Sequence, residues 1–159
     1  MKRLMFATGG DWTGLVLRFF LGLIMLPHGA QKLFGWFDGF GFDASIAYFV
    51  DTVGLPWLAA VVIILIEFFG PIGLFLGLAS RLWAAAIAVI MTGAIFADSL
   101  QHGFFMNWFG NQAGEGFEFH LLMIGVSVAV IVNGGGKFSL DSLVASRDGY
   151  LEPTARFHS

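Results

Sequence analysis

Residues 57–79 read WLAAVVIILIEFFGPIGLFLGLA, and this stretch decides the fold class. A helix that crosses a bilayer needs about 20 mainly apolar residues. Here every residue is apolar or small except Glu67. At about 1.5 Å of rise per residue, Glu67 falls roughly 18 Å from the cytoplasmic end of the span. An ionisable group near the middle of hydrocarbon costs roughly 2.5–3.5 kcal/mol on insertion scales. Glu67 must therefore be protonated, paired or hydrated. Pro71 follows four residues later and lacks the N–H that would bond the Glu67 carbonyl, so a free carbonyl lies beside the carboxyl.

Working outward, residues 13–34, 82–100 and 117–133 give three more apolar stretches, so four spans are expected. The alternating pattern of a barrel strand is missing, and lipid leaves helices as the other solution. The expected fold is an all-α, integral-membrane four-helix bundle. The expected domain covers residues 1–141, with 142–159 as a polar cytoplasmic tail. Between the first two spans, residues 43–53 read as a short amphipathic helix. Asp43 stands at its N-cap, and Ile46, Phe49, Val50 and Val53 share one face. Such a helix suits the outer interface of the membrane.

Composition agrees. Of 159 residues, 57% are hydrophobic and only 12% charged, about half the usual charged share. The mean hydropathy is +0.81. These values argue against a soluble enzyme, a disordered chain and a nucleic-acid binder, and a net charge of −3 gives no basic footprint. The absence of cysteine excludes disulfides, thiolate metal sites, iron–sulfur clusters and cysteine nucleophiles. Lys2 and Arg3 resemble the start of a signal peptide. Gly9-Gly10-Asp11 interrupts the apolar run, however, and no A-x-A site follows, so the first span is expected to be retained.

Lysine and arginine set orientation. Lys2, Arg3, Arg81, Lys137, Arg147 and Arg156 fall on one side of a four-span chain, while Asp38, Asp43, Asp51 and Glu115 fall on the other. Both termini are therefore expected in the cytoplasm. Trp12, Trp36, Trp57 and Trp83 stand at expected span ends, as an interfacial belt requires.

The ionisable groups inside the spans form the candidate site. His28, Glu67, Asp98, Glu118 and His120 come from four helices and fall in one layer of the outer half, at depths of roughly 18–24 Å. His28, Gln31 and Lys32 share a helix face, as do Asp98 and His102. Glu118 and His120 are two residues apart and point in nearly opposite directions. Histidine and carboxylate would suit iron, zinc or manganese, but the Glu-x-x-His pair of di-iron bundles does not occur, and no metal is expected. His28, Gln31, Lys32, Glu67 and His102 suit a quinone head or a proton relay, which need the same side chains without strict geometry. Arg18 stands apart, roughly 8 Å deep. It is expected to serve structure, bonding a carbonyl of a neighbouring helix, with Arg18→Lys tolerated. Gly134-Gly135-Gly136-Lys137-Phe138-Ser139 lacks P-loop spacing and reads as a helix C-cap followed by a cation.

Several pieces in order resemble the DoxX family of small four-helix membrane proteins. They are Arg18-Phe-Phe-Leu-Gly22, His28-Gly-Ala-Gln31-Lys32-Leu-Phe-Gly35, Glu67-Phe-Phe-Gly70, Leu76-Gly77 through Arg81, His102-Gly103, Gly116-Phe-Glu118-Phe-His120-Leu, and Gly134-Gly-Gly-Lys137-Phe-Ser-Leu-Asp141. Pro71 departs from the pattern, which often has a second glycine after Gly70. The resemblance implies a bacterial inner-membrane protein related to DoxD-type subunits of quinone-linked oxidoreductases. The first expectation is therefore a quinone-interacting redox subunit in the lipid bilayer, with a soluble or membrane redox partner or a second copy of itself. A non-enzymatic scaffold for a soluble redox partner and a small proton-coupled transporter are the alternatives.

Overall fold

The computed structural model describes residues 11–147. Lys2, Arg3, Gly9, Gly10 and Arg156, used above for orientation and retention, lie outside the described residues, as does the tail beyond residue 147. Helix α1 runs Trp12–Phe34. Asp11 caps it, with its carboxylate accepting from the Gly14 N–H at 3.1 Å. Gly35 ends it in the left-handed conformation. Helix α2, Gly41–Ala47, continues into a π turn at Tyr48–Thr52. The amphipathic segment is thus helical, but Asp43 lies in its first turn and makes no capping bond, because the helix begins at Gly41. Segment α2 rests against α1 and α3.

Helix α3 spans Trp57–Leu76 and stops short of residue 79 because Gly77 takes a left-handed φ of 62°. Helix α4 spans Ser80–Ala97, starting two residues before the expected 82. The cap that moves this start comes from far along the chain. The Asp141 carboxylate accepts from the N–H groups of Ala79 and Ser80 at 2.6 and 2.9 Å. One tight 3-10 turn, Ser99–His102, follows α4. Helix α5 spans Glu118–Asn133, and α6 spans Leu140–Arg147.

The described residues contain helices and loops without strands. Contacts are densest between α1 and α3 and between α4 and α5, while α3–α4 and α1–α5 close the ring. Each helix buries a stripe at spacings of three and four. In α1 the stripe is Gly14, Arg18, Leu21, Met25 and Gly29, and in α3 it is Ala60, Ile64, Glu67, Pro71 and Leu74. Ile87 and Met91 of α4 and Met123 and Val130 of α5 complete the core. Phe19, Phe20, Val62, Phe69, Val89 and Phe96 face outward instead. Helices α1, α3 and α4 are long and apolar enough to cross a membrane; α5, at 16 residues, is shorter. Trp83 does more than sit at a span end: its ring lies on Gly70 and Gly73 of α3, where a Cβ would meet the indole.

Arg18 ties one end of this ring together. Its guanidinium donates to five carbonyls: Gly135 at 2.7 Å, Leu74 and Phe75 both at 2.6 Å, and Lys137 and Phe138 both at 3.0 Å. All five N–H groups of an arginine are thereby used. The residue is 1% exposed, as is the nearby Asp141. Arg18 is thus structural and carbonyl-bound, as its depth implied. It does not reach toward the surface, however, and three donors on one ammonium cannot serve five carbonyls, so the geometry argues against lysine as an equal substitute.

Candidate functional site

At the end of the ring opposite Arg18, a cavity of about 530 Å³ lies between the helices. Its position follows from where the polar residues fall on their stripes. His28 and Lys32 follow the buried Met25 on α1 at spacings of three and four but are themselves open to the cavity, and Glu67 stands on the buried face of α3. His120 precedes Met123 and Ser127 on the inner face of α5. The ionisable side chains of His28, Lys32, Glu67 and His120 therefore line one space.

Its centre is an ion pair. The Lys32 ammonium donates to the Glu67 carboxylate at 2.5 Å. The Glu67 side chain is 3% exposed and that of Lys32 29%, so the cation supplies the solvated side. Of the three states open to Glu67 from sequence, the structure has the paired one. The carbonyl that Pro71 leaves free is covered by α1: a Cβ at Gly29 would overlap the Glu67 carbonyl oxygen. A glycine there lets the two backbones meet at the level of the ion pair.

His28 and His120 approach from either side. The His28 ring lies 5.9 Å from that of Phe119, tilted by 44°. The His120 Nδ1 is buried and has no hydrogen-bond partner. Such an orphaned polar atom on a cavity wall is unusual, since buried polar groups are normally paired. Asp98 lines the cavity near its loop end, held by Gln101 Nε2 at 3.2 Å and by His102 at 3.5 Å.

The remaining sequence candidates sit elsewhere. Gln31 donates to the Phe37 carbonyl at 3.3 Å and secures the turn after α1. Glu118 accepts from the Met106 N–H at 3.3 Å and ties down the long loop before α5. The His102 ring lies over Gly114, where a Cβ would overlap it. Of the pair Glu118 and His120, only His120 lines the cavity.

Sequence reasoning missed the roof. Tyr48, Phe49, Val53 and Leu55 from the first loop and Met106 and Glu115 from the second also line the cavity. Partial burial, reinforced by Asp98, pushes the Tyr48 phenol above its ordinary pKa, so it stays a donor. The π turn at Tyr48–Thr52 is the one signal in the local structure, since such turns are frequent at functional sites. Among the described residues no three His, Asp or Glu side chains come together as a metal site.

Residues 14–99 match the family model of DoxX. A protein of Bacillus subtilis (strain 168) named "Putative oxidoreductase CatD" is 32% identical over 130 residues, which cover 82% of this chain and 85% of that protein. No solved structure matches the chain.

Proposed function

The chain belongs to the DoxX family of membrane proteins, and on that premise we propose that it is a quinone-interacting redox subunit whose head-group site is the cavity around Lys32 and Glu67. One observation carries this reading: a buried cation–carboxylate pair and two histidines face a single apolar-walled space. At about 530 Å³ the cavity falls within the usual range for small-molecule sites, roughly 300–1,000 Å³. Phe49 and Phe119 supply aromatic wall for a flat ring, and the unpartnered Nδ1 of His120 offers a bond that the protein itself leaves unmade. The name of the Bacillus subtilis relative points the same way.

A bound quinone supplies reversible two-electron, two-proton chemistry. The protein's part is to hold donors at the two ring oxygens and to move protons there. Lys32 Nζ would donate to one oxygen while its charge stays balanced by Glu67. His120 Nδ1 would serve the other, with His28 beside it. After transferring its proton, the Lys32 amine would take a fresh one from the solvent it partly faces, and the Glu67 carboxylate would hold the restored ammonium in place. The apolar walls lower the local dielectric, which strengthens these contacts.

We further propose four spans in a bacterial inner membrane with both termini cytoplasmic, and a redox partner on the loop side that works through Asp98 and Glu115. Equilibrium dialysis of the nanodisc-embedded protein against decylubiquinone tests the site. Saturable binding near one per chain is expected, weakened at least tenfold in Glu67→Gln. Absent saturation, or equal binding by that variant, would leave the ion pair as an interhelical tie, the scaffold reading that its complete pairing favours.

A further inference from the structure

Helices α3 and α4 touch each other less than each touches its other main neighbour. At their shared turn the Trp83 ring fills the space between them, against Gly70 and Gly73. Farther along, a second concavity of about 410 Å³ opens on the outer face of the pair. It is lined by alanine, valine, isoleucine and leucine, including Val62, Ala85 and Ala86. Ile63, Val89 and Ile90 line both this groove and the polar cavity. The two spaces therefore adjoin, with one row of side chains as their common wall. On α4 the groove extends from Ile90 back to Leu82, a run of about 12 Å at 1.5 Å per residue.

We propose that the groove between α3 and α4 seats the isoprenoid tail of the quinone whose head occupies the cavity, so that the ligand enters sideways from the bilayer. This rests on the quinone reading above. The commitment to a tail follows from three features. The groove meets the head site at Ile63, Val89 and Ile90. It carries no side chain that could bond a polar group. On α4 it extends away from that junction, from Ile90 to Leu82. Small residues at 85 and 86 leave the width. The rival occupant is a bilayer acyl chain that has nothing to do with the head site.

The test compares two quinones with the same head, ubiquinone-0 without a tail and ubiquinone-2 with a short one. Both are titrated into nanodiscs holding wild type, Ala86→Phe or Ala85→Phe. The two alanines stand outside the polar cavity, and having both guards against misfolding of either, which gel filtration and thermal unfolding report. Reading each ligand as a variant-to-wild-type ratio cancels partition into lipid. The expected result is at least fivefold weaker binding of ubiquinone-2 in the filled variants, with ubiquinone-0 unchanged. Unchanged binding of both ligands would overturn the groove and assign it to bulk lipid, leaving the head-site reading intact. Equal loss of both would also overturn it, since the tail would have no seat of its own. If wild type binds neither quinone, the groove proposal and the head-site reading fall together.

Discussion

Glu67 and Lys32 form one unit, and their substitutions must be read as a pair. Lys32→Met leaves a carboxylate that is 3% exposed without its cation, and should cost about 3 kcal/mol of stability. Replacing both, as Lys32→Met with Glu67→Leu, removes the desolvated charges together and should restore most of that loss. Thermal unfolding of the single and double variants checks this. A double variant as unstable as the single one would mean that packing, not charge, sets the cost. The same double variant should fail to bind quinone, which separates fold from function in one protein. Arg18 gives the opposite case. Its five carbonyl bonds leave no donor spare, so Arg18→Lys should lower stability by about 2–4 kcal/mol, with carbonyls of the Gly135–Phe138 loop left unserved. A melting temperature equal to wild type would show that the loop reorganises around an ammonium. Glu67 was legible as a problem in sequence, because its depth demanded a partner. Which partner was not legible, since Lys32 is 35 residues away and only the crossing of α1 and α3 brings it near.

That crossing is decided at the level of elements. Gly14, Gly22 and Gly29 recur at seven and eight residues along α1, and each meets backbone or ring of a neighbour that a Cβ would crowd. Small residues of this kind let helices approach when lipid provides no hydrophobic drive between them. Gly29→Ala should therefore push α1 off α3, costing about 1–3 kcal/mol, and should lengthen the Lys32–Glu67 contact. Gly125→Ala on α5 is the matched control, because a Cβ there meets nothing within 4 Å. It should be neutral or stabilise by about 0.5–1 kcal/mol. Equal effects from both would remove the close-approach argument. The start of α4 illustrates a long-range cap. Ala79 is held at φ 52°, and its N–H and that of Ser80 rely on Asp141. Asp141→Ala should cost about 1–2 kcal/mol, read as earlier thermal unfolding. Span positions were legible because hydropathy and Gly77 or Gly35 mark them locally. The cap at Asp141, the roof residues Tyr48 and Glu115 and the tie between Glu118 and Met106 were not. Each depends on segments that only the packed helices bring together.

At the scale of the whole molecule, the two ends of the ring differ in kind. One end gathers Arg18, Arg81, Lys137 and Asp141 around glycine-rich turns, and there the Lys137 N–H donates to the Asp11 carbonyl at 2.9 Å, joining the start of α1 to the turn after α5. The other end carries Asp38, Asp43, Asp51, Asp98 and Glu115 on its loops. Lysine and arginine are retained on the cytoplasmic side of a membrane, so this division supports the proposed orientation. The proposed orientation calls for an even number of crossings, and α5 is the element on which it turns. Its 16 residues extend about 24 Å, short of a hydrocarbon core near 30 Å. Local thinning of the bilayer is cheap enough to accept that mismatch. The apolar aromatics of the preceding loop, Phe104, Phe105 and Phe109, extend the span at the loop end. Reporter fusions after Phe37 and Asn111 should therefore report the periplasmic side, and fusions after Arg81 and Arg147 the cytoplasm. If the fusion after Arg147 reported the periplasm while that after Arg81 stayed inside, α5 would not cross. His120 would then have no reason to stand at the depth of Glu67, and the cavity would lose one of its walls in the membrane.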